Sequence, residues 1–111
     1  MEKSTKNILL SICVPTYNGD IKLFYSLRNI LVAANFCSSN VEVIVSDNAS
    51  TDETPNIISI LKVQYPVLLK NYRKSNNVGF NHNLFSLIDD YANGEFIWII
   101  GDDDFLDSNA V

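Results

Sequence analysis

The 111-residue chain is short of basic residues, cysteine, glycine and histidine, and each shortage closes off a class of function. Eight Lys and Arg against thirteen Asp and Glu leave a net charge of −5. Nucleic-acid binding draws on clustered cations. Here the basic residues are scattered, with Lys70, Arg73 and Lys74 as the only local group. The two cysteines, Cys13 and Cys37, have no close partner and no metal-ligand spacing, so no disulfide framework is expected. Cys13 lies inside an apolar run and reads as a small core residue. No apolar run approaches the roughly 20 residues that a spanning helix needs. The polar start Met1–Asn7 and the short run Ile8–Val14, broken by Ser11 and stopped by Pro15, lack the apolar core and cleavage pattern of a signal sequence. A cytoplasmic site is expected, with the inner face of the membrane as a possible place of work. The lone His82 stands on the polar side of a helix start and reads as solvated.

What is present is an α/β alternation long enough for one domain with a core. Ile8–Val14 is a buried-strand pattern, followed by the loop Pro15–Gly19. From Asp20 to about Asn35, Phe24, Leu27, Leu31 and Ala34 recur at helical spacing, with Asp20 placed to cap. Phe36–Asn40 is a polar loop. Val41–Val45 is a second strand that closes at Ser46-Asp47-Asn48. Ser50-Thr51-Asp52-Glu53 fits a capping box, Pro55 suits a first turn, and Ile57, Ile58, Ile60 and Leu61 form an inner helical face. Val67–Tyr72 is a third strand. Gly79 to about Tyr91 is a third helix, with Phe80, Leu84, Leu87, Ile88 and Tyr91 on its apolar stripe, and Asn93-Gly94 ends it. Phe96–Ile100 is an unbroken apolar run, the pattern of a strand covered on both faces. This order predicts a Rossmann-like three-layer α/β sandwich with a mostly parallel sheet.

Right-handed crossovers bring the strands' carboxyl ends to one rim. Pro15–Gly19, Asp47–Asn48, Asn76–Gly79 and Asp102–Asp104 are therefore expected to converge there. Asp102, Asp103 and Asp104 are adjacent like charges, and a hard divalent cation relieves their repulsion. A solvated acidic loop is the equally simple reading of the triplet alone. For Asp47 the choices are a base or ribose contact and a turn cap. For Tyr17 they are packing on a base and packing on the first helix. Helix starts beside the rim offer amides to phosphate. The combination suits a nucleotide carrying a divalent ion.

Four blocks then carry a resemblance: Ser11–Gly19, Val41–Thr54, Asn77–Asn83 and Gly94–Leu106. Together they resemble the amino-terminal half of family-two glycosyltransferases, inverting enzymes of the GT-A fold that use nucleotide-sugar donors. The Gly-Asp-Asp-Asp ending is most similar to the branch around abequosyl- and rhamnosyltransferases of surface-polysaccharide assembly. The resemblance implies that Pro15, Thr16, Tyr17, Asn18, Asp47, Asn48, Asn77, Gly79, Asp102 and Asp103 bind the nucleotide, with Asp47 on the base. It implies that Asp102 and Asp104 serve a magnesium or manganese ion, Asp104 as the direct ligand, with Asp103 an alternative member of the pair. The ion would stabilise the departing diphosphate as a Lewis acid. A UDP- or dTDP-type sugar donor and a saccharide or lipid-linked saccharide acceptor are the implied partners.

Two departures from the pattern stand out. Many relatives carry Ala-Arg-Asn after the helix-start glycine, whereas this chain reads Gly79-Phe-Asn-His-Asn83 and lacks that arginine. The chain also ends seven residues past Asp104, so the family's general base and acceptor surface are expected beyond Val111. A truncated chain would expose a sheet edge and apolar helix faces and self-associate. Two other classes compete. A nucleotidyltransferase wants a Gly-rich basic loop after the first strand, and Pro15–Gly19 has one Gly and no Lys. A receiver-like or metal-binding regulatory module would use Asp47 as phosphoacceptor with a Lys after a later strand, and no Lys follows the last strand.

Overall fold

The computed structural model describes residues 7–37 and 40–104. Four strands form one parallel sheet in the order β3-β2-β1-β4: β1 is Leu10–Thr16, β2 Val41–Asp47, β3 Leu69–Arg73 and β4 Phe96–Ile99. Helices α1 (Asp20–Asn35) and α2 (Thr54–Gln64) cover one face. Their core joins Leu23, Leu27, Ile30 and Leu31 of α1 and Ile58 and Leu61 of α2 to Ile12, Val14, Val43 and Val45. On the other face lie α3 (Phe80–Ser86) and a π-helical turn, Leu87–Tyr91, where Leu87 packs on Cys13 and Ile44. The three-layer α/β sandwich expected from the strand–helix alternation is the fold observed.

Several boundaries differ from expectation for physical reasons. β1 runs through Pro15 to Thr16 rather than ending at Val14. The last β1–β4 pair is Cys13–Ile99, so the missing Pro15 N–H falls where β1 borders β2 alone. β2 extends to Asp47, and β3 starts at Leu69 because residues 66–68 form turns. The capping box does not form. Ser50 turns back to Asp47, α2 starts at Thr54 after Glu53, and the Thr54 N–H is met by Asp52. Asp20 is the first residue of α1 rather than its side-chain cap, with φ 49 and its N–H given to Thr54 Oγ1.

The third helix departs most. The continuous helix over 79–91 is split into α3 and the π-turn, and of the expected apolar stripe Leu87 alone is fully buried. Phe80 is 64% exposed, and Asn83 and Ser86 face inward instead. Asn83 accepts from Ser46 Oγ at 2.7 Å and donates to the Ser46 carbonyl at 3.0 Å. Two hydrogen bonds that satisfy the buried Asn83 amide and the Ser46 hydroxyl outweigh burial of one more aromatic ring. β4 is likewise not covered on both faces: it is an edge strand with Phe96, Ile97 and Ile99 exposed. The polar start before Asn7, Ser38 and Ser39 of the polar loop, and Phe105 and Leu106 lie outside the described residues.

Candidate functional site

At the carboxyl ends of the strands, the loop after β1, the turn after β2, the start of α3 and the end of β4 enclose a cleft of ≈ 480 Å³. Of the residues expected at the rim, Pro15, Thr16, Tyr17, Asn48, Asn77, Gly79 and Asp102 line it. Phe80, Asn83, Ile99 and Gly101 complete the lining. Tyr17 is 45% exposed, which leaves its ring available to a ligand. Asn18, Asp47, Asp103 and Asp104 are not part of the lining.

The floor of the cleft rests on one long-range contact. Thr16 Oγ1 donates to Asp102 Oδ2 at 2.7 Å, joining residues 86 apart in sequence. Gly19 makes that approach possible: a Cβ there would lie 2.8 Å from Thr16 Oγ1 and 3.1 Å from Asp102 Oδ2. Asp102 is half-buried, whereas Asp103 and Asp104 are exposed. The Asp104 carboxylate accepts the Gly101 N–H at 3.2 Å, and its carbonyl accepts Ser26 Oγ at 2.6 Å, which ties the acidic turn to α1. Asp103 borders a separate hollow beside Ile21, Lys22 and Tyr25.

The turn after β2 is the hub of the rim. Asn48 Nδ2 donates to Asn77 Oδ1 and the Gly79 carbonyl, and Asn48 Oδ1 accepts the Val78 N–H. Gly79 takes φ 89, a conformation open to glycine, as it turns the chain into α3. Asn18 N–H donates to Ser50 Oγ, and Asn18 Oδ1 accepts the Thr51 N–H. Asp47 is 2% exposed, with Oδ1 accepting the Ser50 N–H and hydroxyl and Oδ2 accepting Arg73 Nη1 at 2.7 Å. The amides expected to face phosphate at helix starts are partly committed, since those of Asp20, Val78 and Gly79 meet side chains.

Sequence reasoning missed Asn83, Ile99, Ser50 and Arg73. Arg73 carried the strongest available signal, as the last residue of a strand beside the strand ending in Asp47. Among the described residues, no three of His, Cys, Asp and Glu gather around one point as a ready-made metal cage. Among the described residues, nothing donates to Asp102 Oδ1 or Asp104 Oδ1. That donor set is all-oxygen and sparse. It fits magnesium or manganese, which keep waters and share their coordination with phosphates.

Residues 11–111 match Glycosyl transferase family 2. The chain belongs to this family. Abequosyltransferase RfbV of Salmonella typhimurium is 35% identical over 104 residues, 94% of this chain and 31% of that protein. The GalNAc(5)-diNAcBac-PP-undecaprenol beta-1,3-glucosyltransferase of Campylobacter jejuni is 34% identical over 92% of this chain and 32% of its own length. Among solved structures, a mannosyltransferase from Pyrobaculum calidifontis in complex with GDP-Man and Mn2+ superposes with a TM-score of 0.78 at 29% identity, over 91% of this chain and 29% of that one. Staphylococcus aureus TarS in complex with UDP-GlcNAc gives 0.71 at 29% identity, over 92% of this chain and 28% of that one. The GT-A fold follows from these likenesses. The chain spans about a third of the length of these two curated relatives.

Proposed function

We propose that this chain is the donor-binding half of an inverting, metal-dependent glycosyltransferase that acts in polysaccharide or glycoconjugate synthesis. The observation that carries the reading is the Thr16–Asp102 hydrogen bond on the floor of the cleft. It sets a carboxylate beside Tyr17 and Asn48, so aromatic, amide and anionic groups meet in one hollow. The register supports the same reading. Arg73, Asp47 and Thr16 are cross-strand partners in a row, and β4 is the next strand. Three strand spacings of about 4.8 Å span roughly 14 Å along the rim. A nucleoside diphosphate laid along it has its base near Tyr17 and the β2 turn and its diphosphate at Asp102.

Asp102 and Asp104 are the residues that would hold the metal, Asp104 as the direct ligand, with Asp103 the alternative member of the pair. The ion supplies Lewis-acid stabilisation of the departing diphosphate when bound. Thr16 holds Asp102 in place, Pro15 and Tyr17 shape the nucleotide wall, and Asn18, Asn48, Asn77 and Gly79 keep the surrounding loops together. An inverting displacement also needs a general base, and none of the chain's residues is assigned that part. A UDP- or dTDP-sugar is the proposed donor, a saccharide or lipid-linked saccharide the proposed acceptor, and the cytoplasmic face of the membrane the proposed place of action. The exposed apolar edge strand β4 makes concentration-dependent self-association of the chain an additional expectation. A phosphoacceptor role for Asp47 is disfavoured by its burial against Ser50 and Arg73.

Calorimetric titration with UDP, dTDP and GDP, with and without Mn²⁺, tests the reading. Metal-enhanced binding of at least one nucleotide is expected. Absence of heat with all three in the presence of Mn²⁺, for this chain and for a longer one containing it, would overturn it.

A further inference from the structure

Helix α1 turns Leu23, Leu27, Ile30 and Leu31 into the core, and Ser26 lies on the same face, wholly buried. A hydroxyl removed from water needs a partner. Inside a helix that partner is often the carbonyl four residues before. Ser59 and Ser86 of this chain bond in that way, to Pro55 and His82, both at 3.0 Å. Ser26 sends its proton elsewhere. Its Oγ donates to the Asp104 carbonyl at 2.6 Å, across 78 residues of sequence.

The bond ends on a turn that is otherwise closed mainly on itself. The Asp104 N–H meets the Gly101 carbonyl, and the Gly101 N–H meets Asp104 Oδ2, each at 3.2 Å. Both are at the long end of the N–H···O range, and neither ties the turn to the rest of the fold. Among the described residues, two side chains from outside the turn do so. Thr16 Oγ1 at the end of β1 holds the Asp102 carboxylate, and Ser26 Oγ from α1 holds the Asp104 backbone. Asp104 itself is exposed, so packing does not fix its carboxylate. Groups that orient a ligand without touching the ion commonly set how tightly the ion is held.

We propose that Ser26 is a positioning residue for the metal: its hydrogen bond to the Asp104 carbonyl keeps the Asp104 carboxylate beside Asp102, so that both serve one divalent ion. The proposal rests on the donor-site reading above. It gives α1, which contributes no residue to the cleft lining, a part in metal affinity.

The test measures UDP affinity of the full chain by calorimetry with and without Mn²⁺. The proteins are wild type, Ser26→Ala, Ser26→Cys, Asp104→Asn and the double variant Ser26→Ala with Asp104→Asn, with circular dichroism to verify folding. Ser26→Ala removes the donor without adding bulk. It is expected to weaken UDP binding about fivefold with Mn²⁺, the scale of one hydrogen bond, and to leave binding without metal unchanged. Ser26→Cys keeps the size with a weaker donor and is expected to fall between Ser26→Ala and wild type. Asp104→Asn keeps the carbonyl that Ser26 holds and loses the carboxylate, so Ser26→Ala is expected to cause no further loss of affinity in that background. Should Ser26→Ala fail to fold, Ser26→Cys decides by the same comparison. A folded Ser26 variant with the Mn²⁺ enhancement of wild type overturns the proposal, as does an equal further loss in the Asp104→Asn background. Those results leave the donor-site reading standing, whereas a wild type whose UDP binding is absent or indifferent to Mn²⁺ removes both.

Discussion

Strand β2 carries two buried carboxylates, Glu42 near its start and Asp47 at its end, and each meets a cation from β3. The pairs look alike: Lys70–Glu42 and Arg73–Asp47 are both 2.7 Å apart, with the cation partly in solvent and the acid 1% or 2% exposed. Their remaining partners separate them. Glu42 accepts from Lys70, Ser11 Oγ, the Asn93 N–H and the Asn93 side chain, four donors for about four acceptor positions. Asp47 has three donors and one position to spare. The closed network at the amino end fastens the chain entering β4 to the sheet, since Ser11 Oγ also accepts the Gly94 N–H. The other stands at the carboxyl end of β2, buried behind the cleft lining. The saturated acid ties β2 to the chain entering β4, and Asp47 ties the Ser50 turn to the end of β3.

The largest expected effect falls on the saturated side. Glu42→Ala leaves Lys70, Ser11 and Asn93 without their acceptor and is expected to cost about 2–4 kcal/mol in urea unfolding, below a wholly buried pair because Lys70 is partly solvated. Burial pushes the Glu42 pKa up, but the hydrogen bonds from Lys70, Ser11 and Asn93 and the Lys70 charge outweigh it, so the net shift is downward from 4.5. Its stabilisation is therefore complete above pH 4.5 and is lost as pH falls through the lowered folded-state value. Unfolding curves of wild type and Glu42→Gln are expected to converge in acid. Equal acid sensitivity of the two proteins would remove Glu42 from the account.

At the carboxyl end of the sheet, Asp102→Asn is expected to leave stability nearly unchanged. Nucleotide affinity with Mn²⁺ should weaken by about 2 kcal/mol, roughly thirty-fold. Thr16→Val removes the hydroxyl that holds Asp102 and is expected to cost about 1 kcal/mol, roughly fivefold, with the metal dependence retained. If Thr16→Val were as severe as Asp102→Asn, Thr16 would be a direct ligand contact rather than a support. The smallest effect concerns the thiols. Burial pushes the Cys13 thiol up to about 12, with the Glu42 charge adding to it. Iodoacetamide is thus expected to modify the part-exposed Cys37 in the folded protein and to reach Cys13 after unfolding.

Much of this contrast was hidden in the sequence. The strands, the helices α1 and α2, and the gathering of Thr16, Asn48 and Asp102 at one rim follow from periodicity and parallel topology, because those signals are local or imposed by chain connection. The Asp47–Arg73 and Glu42–Lys70 pairs link residues 26 and 28 apart, and strand register alone brings them together. α3 misled for the same reason: the bonds that turn Asn83 and Ser86 inward end on Ser46 and Lys74, outside the helix whose pattern was being read. The apolar run of β4 indicates a strand but says nothing of what covers it. Ser50 looked like a helix cap because the capping pattern and the Asp47 contact require the same residue types.

The central claim is that metal and nucleotide meet at the open end of the sheet. It is tested most directly by amide NMR of the isotope-labelled chain with UDP and a trace of paramagnetic Mn²⁺. The account predicts loss of the Thr16, Tyr17, Gly101 and Asp102 signals, with those of Glu42, Lys70 and Asn93 retained. Broadening centred on Glu42 and Lys70, or none at Asp102 with UDP bound, would contradict it.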